Sequence, residues 1–437
     1  MTIPRLKRIA YGAAELGVSG SEVMIRVSLL IFYTQTVGLE PYLASYAIAI
    51  GVIWDAITDP LMGHISDAIS INGEKRRPFF LPAAIGLAVS LICLFNVPSL
   101  DSQIKKFIYL FVTYICTNTF LTILSVPHTA FAGDISREKN IRMELFGWRM
   151  LFSNFGLLLG TAIPAIVTSY LGYFSSADAG ASWIMAAITI LGVLTTLLST
   201  SGLDQVKKSQ TQQHSFKTYR QNLSQILSNK SFLWLLIAYM VATIGLTLNS
   251  SLALYYYTFY LRLDDVTIRA IIAFFMLIFC LGIPLWLWST KFFPKRKILT
   301  YNVFSLGIMT VFSYPLFPPL SIYGPLAAGL FGGIFVAAVV LLDVAVADLA
   351  DQEAQKIDSH EPRLGAYFGF WKMGGKFSRA FALILTGHAL TSIGFVAGKL
   401  PDPEVSFSIA LLFGPGVGGF LLLAALILYF KFEKIKE

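Results

Sequence analysis

Residues 41–63 read Pro41-Tyr-Leu-Ala-Ser-Tyr-Ala-Ile-Ala-Ile50-Gly-Val-Ile-Trp54-Asp55-Ala-Ile-Thr58-Asp59-Pro60-Leu-Met-Gly63. The apolar run continues to Ile69, so one helix over this stretch is long enough to span a bilayer. Asp55 and Asp59 are four residues apart, and on a helix their carboxylates leave the same face one turn from each other. A carboxylate at membrane depth costs a few kcal/mol, so it must face a cavity, a partner or a bound ion. Two of them on one face form a natural site for a small cation or a shared proton. The alternative is that basic side chains on neighbouring helices pair with both and only lock the helices together.

The rest of the chain is the same kind of sequence. Of its 437 residues 56% are hydrophobic and 13% charged, and the mean hydropathy is +0.68. That composition excludes a soluble domain and predicts an all-α membrane protein. Twelve spans are expected, near 11–36, 41–69, 79–98, 106–131, 145–171, 182–202, 231–260, 267–289, 298–316, 322–349, 365–391 and 405–430. A polar segment, 204–230, divides them into two sets of six, 1–203 and 231–437, as two parallel repeats facing a central cavity would be. Within it, Tyr219 to Leu227 has the pattern of a short amphipathic surface helix.

The net charge of +8 follows the loops and is no nucleic-acid footprint. The N-terminus, the loops after even-numbered spans and the C-terminus hold 23 Lys and Arg residues, the opposite loops 5 (Lys105, Lys106, Arg262, Arg269 and Lys399). The bias puts both termini in the cytoplasm. Cys93, Cys116 and Cys280 fall within spans, without disulfide or metal spacing, and are expected in the core. No nucleotide loop, zinc spacing or nucleophile motif is present, so neither enzyme chemistry nor a cofactor is expected.

Several polar residues stand inside apolar spans. In the first, Glu15, Ser19, Glu22 and Arg26 recur at helical spacing as one stripe, although Glu22 and Arg26 can satisfy each other. The fourth span carries Ser125-Val-Pro127-His128, where the proline predicts a helix break and His128 is either a proton carrier or simply hydrogen-bonded. Arg149 and Asn154 enter the fifth span; Arg149 either snorkels or pairs with an anionic group. Tyr255-Tyr-Tyr257 is either a cavity wall or an interfacial belt, the belt being the favoured expectation. Lys372, Lys376 and Arg379 form a cationic stripe in the eleventh span.

Taken together, Phe32-Tyr-Thr with Val37-Gly-Leu-Glu-Pro41, Ile53-Trp-Asp-Ala-Ile-Thr-Asp-Pro-Leu-Met-Gly63 and Gly73-Glu-Lys-Arg-Arg-Pro78 resemble the glycoside–pentoside–hexuronide:cation symporters, the melibiose permease-like branch of the major facilitator superfamily. Arg149, Ala347-Asp-Leu-Ala-Asp351, Arg363 and Lys372-Met-Gly-Gly375 extend the likeness over nearly the whole chain. The resemblance implies a major facilitator fold of twelve helices in two six-helix bundles, alternating access, and coupling to Na⁺, H⁺ or Li⁺. It makes Asp55 and Asp59 the cation carboxylates, with Thr122 a further candidate and Lys372 close by. It puts Arg149 between the cation and solute sites. Asp67, Arg76, Arg77, Asp348, Asp351 and Arg363 would clasp helix ends on the cytoplasmic side. A monomer in a bacterial inner membrane is the family expectation.

The chain departs from the sugar-carrying pattern where solute is gripped. Ser19 and Ser125 stand where an acid is expected, and Thr129 where a stacking tryptophan is. The expected function is therefore cation-coupled symport of an organic solute, a sugar or glycoside by family. A non-sugar anionic or amphipathic solute (lysolipid, organic acid or siderophore-like) is the alternative, and a non-transporting membrane sensor a further one. Ser19, Glu22, Arg26, Ser125, His128, Arg149, Lys372 and Lys376 are the candidate solute and coupling residues.

Overall fold

A computed structural model describes residues 3–68, 76–136, 138–170, 176–201, 229–356 and 364–432. The central segment with its expected surface helix, and Arg363, lie outside them. Among the described residues the regular structure is helical, as lipid demands of any segment that must satisfy its own backbone. Ten stretches are long and apolar enough to cross a membrane. Two further helices, Lys295–Ser313 and Leu364–Ser392, coincide with the ninth and eleventh expected spans. Each carries three cations (Lys295, Arg296 and Lys297; Lys372, Lys376 and Arg379), which lower its hydropathy.

The described residues divide into two compact units. The first is Met1–Thr211 with two short segments, Asp264–Ala273 and Val396–Lys399; the second is Gln212–Leu263, Phe274–Phe395 and Leu400–Glu437. In the first unit the helices are α1 (Arg5–Tyr11), α2 (Ala14–Ile31), α3 (Pro41–Ala68), α4 (Arg77–Phe95), α5 (Gln103–Ile135), α6 (Lys139–Tyr170) and α7 (Ala177–Thr200). Helix α2 packs on α6 and α7, and α5 packs on α3 and α4. The turn from α2 into α3 is set by Gly38, whose φ of 72° suits a residue without a Cβ. Pro41 then opens α3 where a missing N–H costs nothing. The segment 396–399 joins this unit through Gly398, whose N–H donates to the Thr34 carbonyl at 3.0 Å.

Small residues bring α2 and α6 into backbone contact. A Cβ on Gly160 would sit 2.2 Å from the Gly20 carbonyl oxygen, and one on Gly156 would sit 2.7 Å from that of Leu16. The two helices therefore approach more closely than larger side chains permit.

In the second unit Lys230–Tyr255 (α8) packs on Leu364–Ser392 and on Val417–Ile427. Three expectations are corrected here and in the first unit. The tyrosine run is not an interfacial belt. Tyr255 and Tyr256 are fully buried, and Tyr256 donates to the Tyr314 carbonyl at 2.6 Å while stacking on Phe413; a buried phenol must find an acceptor, and this one does. Helix α5 runs unbroken through Pro127. The Thr129 hydroxyl donates to the Ser125 carbonyl at 2.7 Å, the kind of side-chain bond that supports backbone around a membrane proline. The cysteines are not core residues: Cys116 is exposed, and Cys93 and Cys280 are half-buried. Within a membrane span an exposed thiol faces lipid at little cost, because it behaves as a small hydrophobe.

Candidate functional site

The acidic pair is held against α5. Gly51 on α3 takes the ring of Tyr114, where a Cβ would come within 2.3 Å of a ring carbon. One turn on, the Trp54 indole N–H donates to the Thr119 hydroxyl at 2.9 Å. These contacts fix the register of α3 on α5 and bring Thr122 opposite the carboxylates. Thr122 Oγ1 lies 2.8 Å from Asp55 Oδ1 and 3.1 Å from Asp59 Oδ1. Thr122 is buried, whereas Asp55 and Asp59 are half-buried. Among the described residues no three His, Cys, Asp or Glu side chains cluster as a metal cage. The donors assembled here are two carboxylates and a hydroxyl, hard oxygens that fit an alkali cation or a proton rather than a transition metal.

A second polar group forms between α2, α5 and α6. The Arg149 guanidinium donates to Glu15 Oε1, and His128 Nδ1 stands 3.4 Å from the same oxygen. The Ser19 hydroxyl reaches Glu15 Oε2 at 3.3 Å and Ser153 at 2.6 Å. Glu15 and His128 are buried; Arg149 keeps a fifth of its side chain exposed. The α2–α6 glycine contact produces this pairing. Arg149, Ser153, Gly156 and Gly160 share one face of α6 at helical spacing and meet Glu15, Ser19 and Gly20 on α2.

Ser153 is a residue the sequence reading missed in favour of Asn154. The i, i+4 relation to Arg149 is the signal for it. The stripe on α2 splits in two: Glu15 and Ser19 turn inward, while Arg26 donates to Glu22 at 2.6 Å on the exposed side, the pairing the sequence left open. Ser125 is half-buried on α5, with its carbonyl engaged by Thr129.

Lys372 and Lys376 stand on the helix Leu364–Ser392 in the second unit, the first exposed and the second half-buried. Beside them the Trp371 indole N–H donates to Asp343 Oδ1 at 2.9 Å and the ring stacks on Tyr239 at 3.8 Å. At 2% exposure Trp371 is core, with no face left for a solute.

Of the expected clasp residues, Arg76 is buried and pairs with Asp134 at the end of α5, an acid the sequence reading did not assign to the clasp. Arg77 donates to the Leu197 carbonyl at 3.1 Å. Lys295 pairs with Asp348 at 2.7 Å on the surface. The side chains of Asp67 and Asp351 lie outside the described residues. Arg269, counted among loop cations, is buried between Asp178 at 3.1 Å and Asp265 at 2.9 Å. The adjacent Asp264 accepts the Thr267 N–H at 2.9 Å, and bonds from the Thr267 hydroxyl and N–H hold its carboxyl below the usual carboxylate range.

Comparison with known proteins bears on the family and the fold. Residues 10–434 match the family model described as MFS/sugar transport protein. The isoprimeverose transporter of Lactiplantibacillus pentosus is 22% identical over 99% of this chain and 90% of its own length. A sodium-dependent lysophosphatidylcholine symporter 1 of Gallus gallus is 24% identical over 94% of this chain and 82% of its own. Among solved structures, one described as bearing on substrate recognition in proton dependent oligopeptide transporters superposes with a TM-score of 0.70 at 12% identity, covering 98% of each chain; at that identity the likeness is one of fold. The chain thus belongs to the MFS/sugar transport protein family: it is a multi-pass membrane transporter of the major facilitator fold, and not an enzyme.

Proposed function

We propose that this protein is a secondary active transporter that couples a monovalent cation, Na⁺ or H⁺, to the movement of an organic solute by alternating access. The observation that carries the reading is the Thr122 hydroxyl on both Asp55 and Asp59. The hydroxyl brings a third hard oxygen to two carboxylates on one helix face, the donor chemistry that an alkali cation or a proton requires. The cation is cargo as well as driver. Bound between the carboxylates, it offsets one of two like charges and relieves their repulsion, which is costly in a closing, low-dielectric site. The ion favours whichever conformation binds it better, and only that difference moves the equilibrium. Relatives named as isoprimeverose and sodium-dependent lysophosphatidylcholine carriers support a cation-coupled organic solute.

A sugar or glycoside is the first solute reading. The inner end of α2 favours an anionic or amphipathic one. Ser19 spends its hydroxyl on Ser153 and Glu15 spends its carboxylate on Arg149, so no carboxylate is offered there to grip sugar hydroxyls, while Arg149 retains exposed surface for an anion. The lysine and arginine bias of the loops supports a cytoplasmic-membrane location with both termini inside.

The test is thermal unfolding of the purified protein against Na⁺, Li⁺ and K⁺ at two pH values, beside Asp55→Asn and Asp59→Asn. A saturable rise with Na⁺ or Li⁺ that both variants lose is expected for an alkali cation site. A pH dependence lost in both variants, without an ion effect, assigns the proton as the coupling ion. Indifference to ions and pH alike removes the assignment.

A further inference from the structure

We propose that Glu15 and His128 form a proton-binding site separate from the Asp55/Asp59 pair, with one exchangeable proton bound at His128 Nδ1. The geometry dictates where that proton goes. His128 Nε2 lies 3.0 Å from the Tyr11 carbonyl oxygen, and a carbonyl only accepts, so Nε2 carries a hydrogen. The ring is held in this orientation from the other side: the Tyr11 hydroxyl donates to the His128 carbonyl at 2.6 Å, and the two rings lie 4.7 Å apart. With Nε2 protonated, the Nδ1 of a neutral imidazole is a bare lone pair. It faces Glu15 Oε1 at 3.4 Å, another lone-pair atom, and finds no hydrogen-bond partner among the described residues. His128 has no exposed surface.

A neutral histidine against an ionised glutamate leaves that contact repulsive and a buried acceptor unmet. One proton removes both faults. The charges around the site say which atom holds it. Arg149 donates to the same Glu15 oxygen from α6 and keeps the carboxylate ionised, so the proton sits on the imidazole and the bond is imidazolium to carboxylate.

The other charged groups packed nearby are already matched. Asp134, on the same helix as His128, pairs with Arg76, and Glu144 on α6 pairs with Arg8 of α1. The α4 side presents the Phe80 ring, edge-on at 5.7 Å. From α7, Thr196 contributes a hydroxyl to the Tyr11 carbonyl at 3.2 Å. The cluster Glu15–Arg149–His128 is thus neutral without the proton and carries one positive charge with it. Because Arg149 is by far the most exposed of the three, at 22% against 4% for Glu15 and none for His128, it is the arm through which an outside anion would reach the site.

The site is tested in the full-length protein in detergent, with His64, His214, His360 and His388 replaced by Gln so that His128 is the sole histidine. Its imidazole nitrogens are labelled with ¹⁵N and followed from about pH 5 to 8, the range in which histidine changes charge. The expected result is one protonation step at Nδ1 while Nε2 stays protonated throughout. Glu15→Gln abolishes that step, because its amide donates to Nδ1 and keeps the ring neutral. Arg149→Gln keeps the step and moves it to higher pH, so a Glu15 variant that fails to fold leaves the proposal open to refutation by the second. An Nδ1 that stays unprotonated across the range overturns the proposal. So does an imidazolium that never titrates, or a step that neither variant shifts.

Discussion

The Thr122 hydroxyl stands 2.8 Å from Asp55 Oδ1, and its single proton must serve Asp59 at 3.1 Å as well. Thr122→Ala removes a donor to a charged group, a bond worth about 1.5–3 kcal/mol. Affinity for the stabilising ion should fall by about tenfold or more, read as a rightward shift of the Na⁺ or Li⁺ dependence of thermal unfolding. Thr122→Ser retains the oxygen and should stay near wild type. Equal loss in both variants would mean that Thr122 acts through its methyl packing.

The Glu15–Arg149 pair is buried on one side only: the glutamate is 4% exposed, the arginine 22%. Removing the arginine strands a buried carboxylate, so Arg149→Ala should cost about 3 kcal/mol, the lower end of the range for broken buried pairs. Glu15→Gln combined with Arg149→Gln should cost less than the sum of the two single changes. Additive losses in thermal or denaturant unfolding would show that the two side chains are not coupled.

Helices α2 and α6 touch through Gly20 and Gly160, where an added Cβ would lie 2.2 Å from backbone oxygen. Gly160→Ala should therefore force the helices apart and cost about 1–3 kcal/mol, as overpacking does. It should also loosen the Ser19–Ser153 and Glu15–Arg149 contacts. Gly147, with nothing within 4 Å of its built Cβ, serves as the control: Gly147→Ala should be neutral or slightly stabilising by its helix propensity. Similar melting temperatures for the two variants would refute the close approach.

Arg269 has two acidic partners of different worth. Asp178 is 10% exposed and Asp265 is 43%. Asp178→Asn should cost about 3 kcal/mol, because it leaves a buried guanidinium half-paired. Asp265→Asn should cost less than about 1 kcal/mol, as solvent-exposed pairs do. A larger effect at Asp265 would reverse this ranking.

Much of the site was legible because helical spacing is a local property. Asp55 and Asp59 share a face by being four residues apart, and Glu15 and Ser19 do so for the same reason. Partners on other helices were not legible. Ser153 was passed over for its neighbour Asn154, Asp134 was not matched to Arg76, and Arg269 was counted as a loop charge although it is buried. A tyrosine run that composition assigns to an interface turned into core once Phe413 and the Tyr314 carbonyl closed on it.

The sequence by itself determined that the chain is a bundle of membrane-crossing helices with an acidic pair at membrane depth. Apolar length and the cost of burying charge in lipid are fixed by composition and spacing alone. Only the tertiary structure decided what each polar side chain faces. The azimuth and depth of one helix against the next depend on where small residues permit contact, as Gly51 does for α3 on α5 and Gly160 for α2 on α6. That packing aligned Thr122 with two carboxylates and turned the His128 lone pair toward Glu15, relations that run between residues 63 to 113 positions apart in the chain.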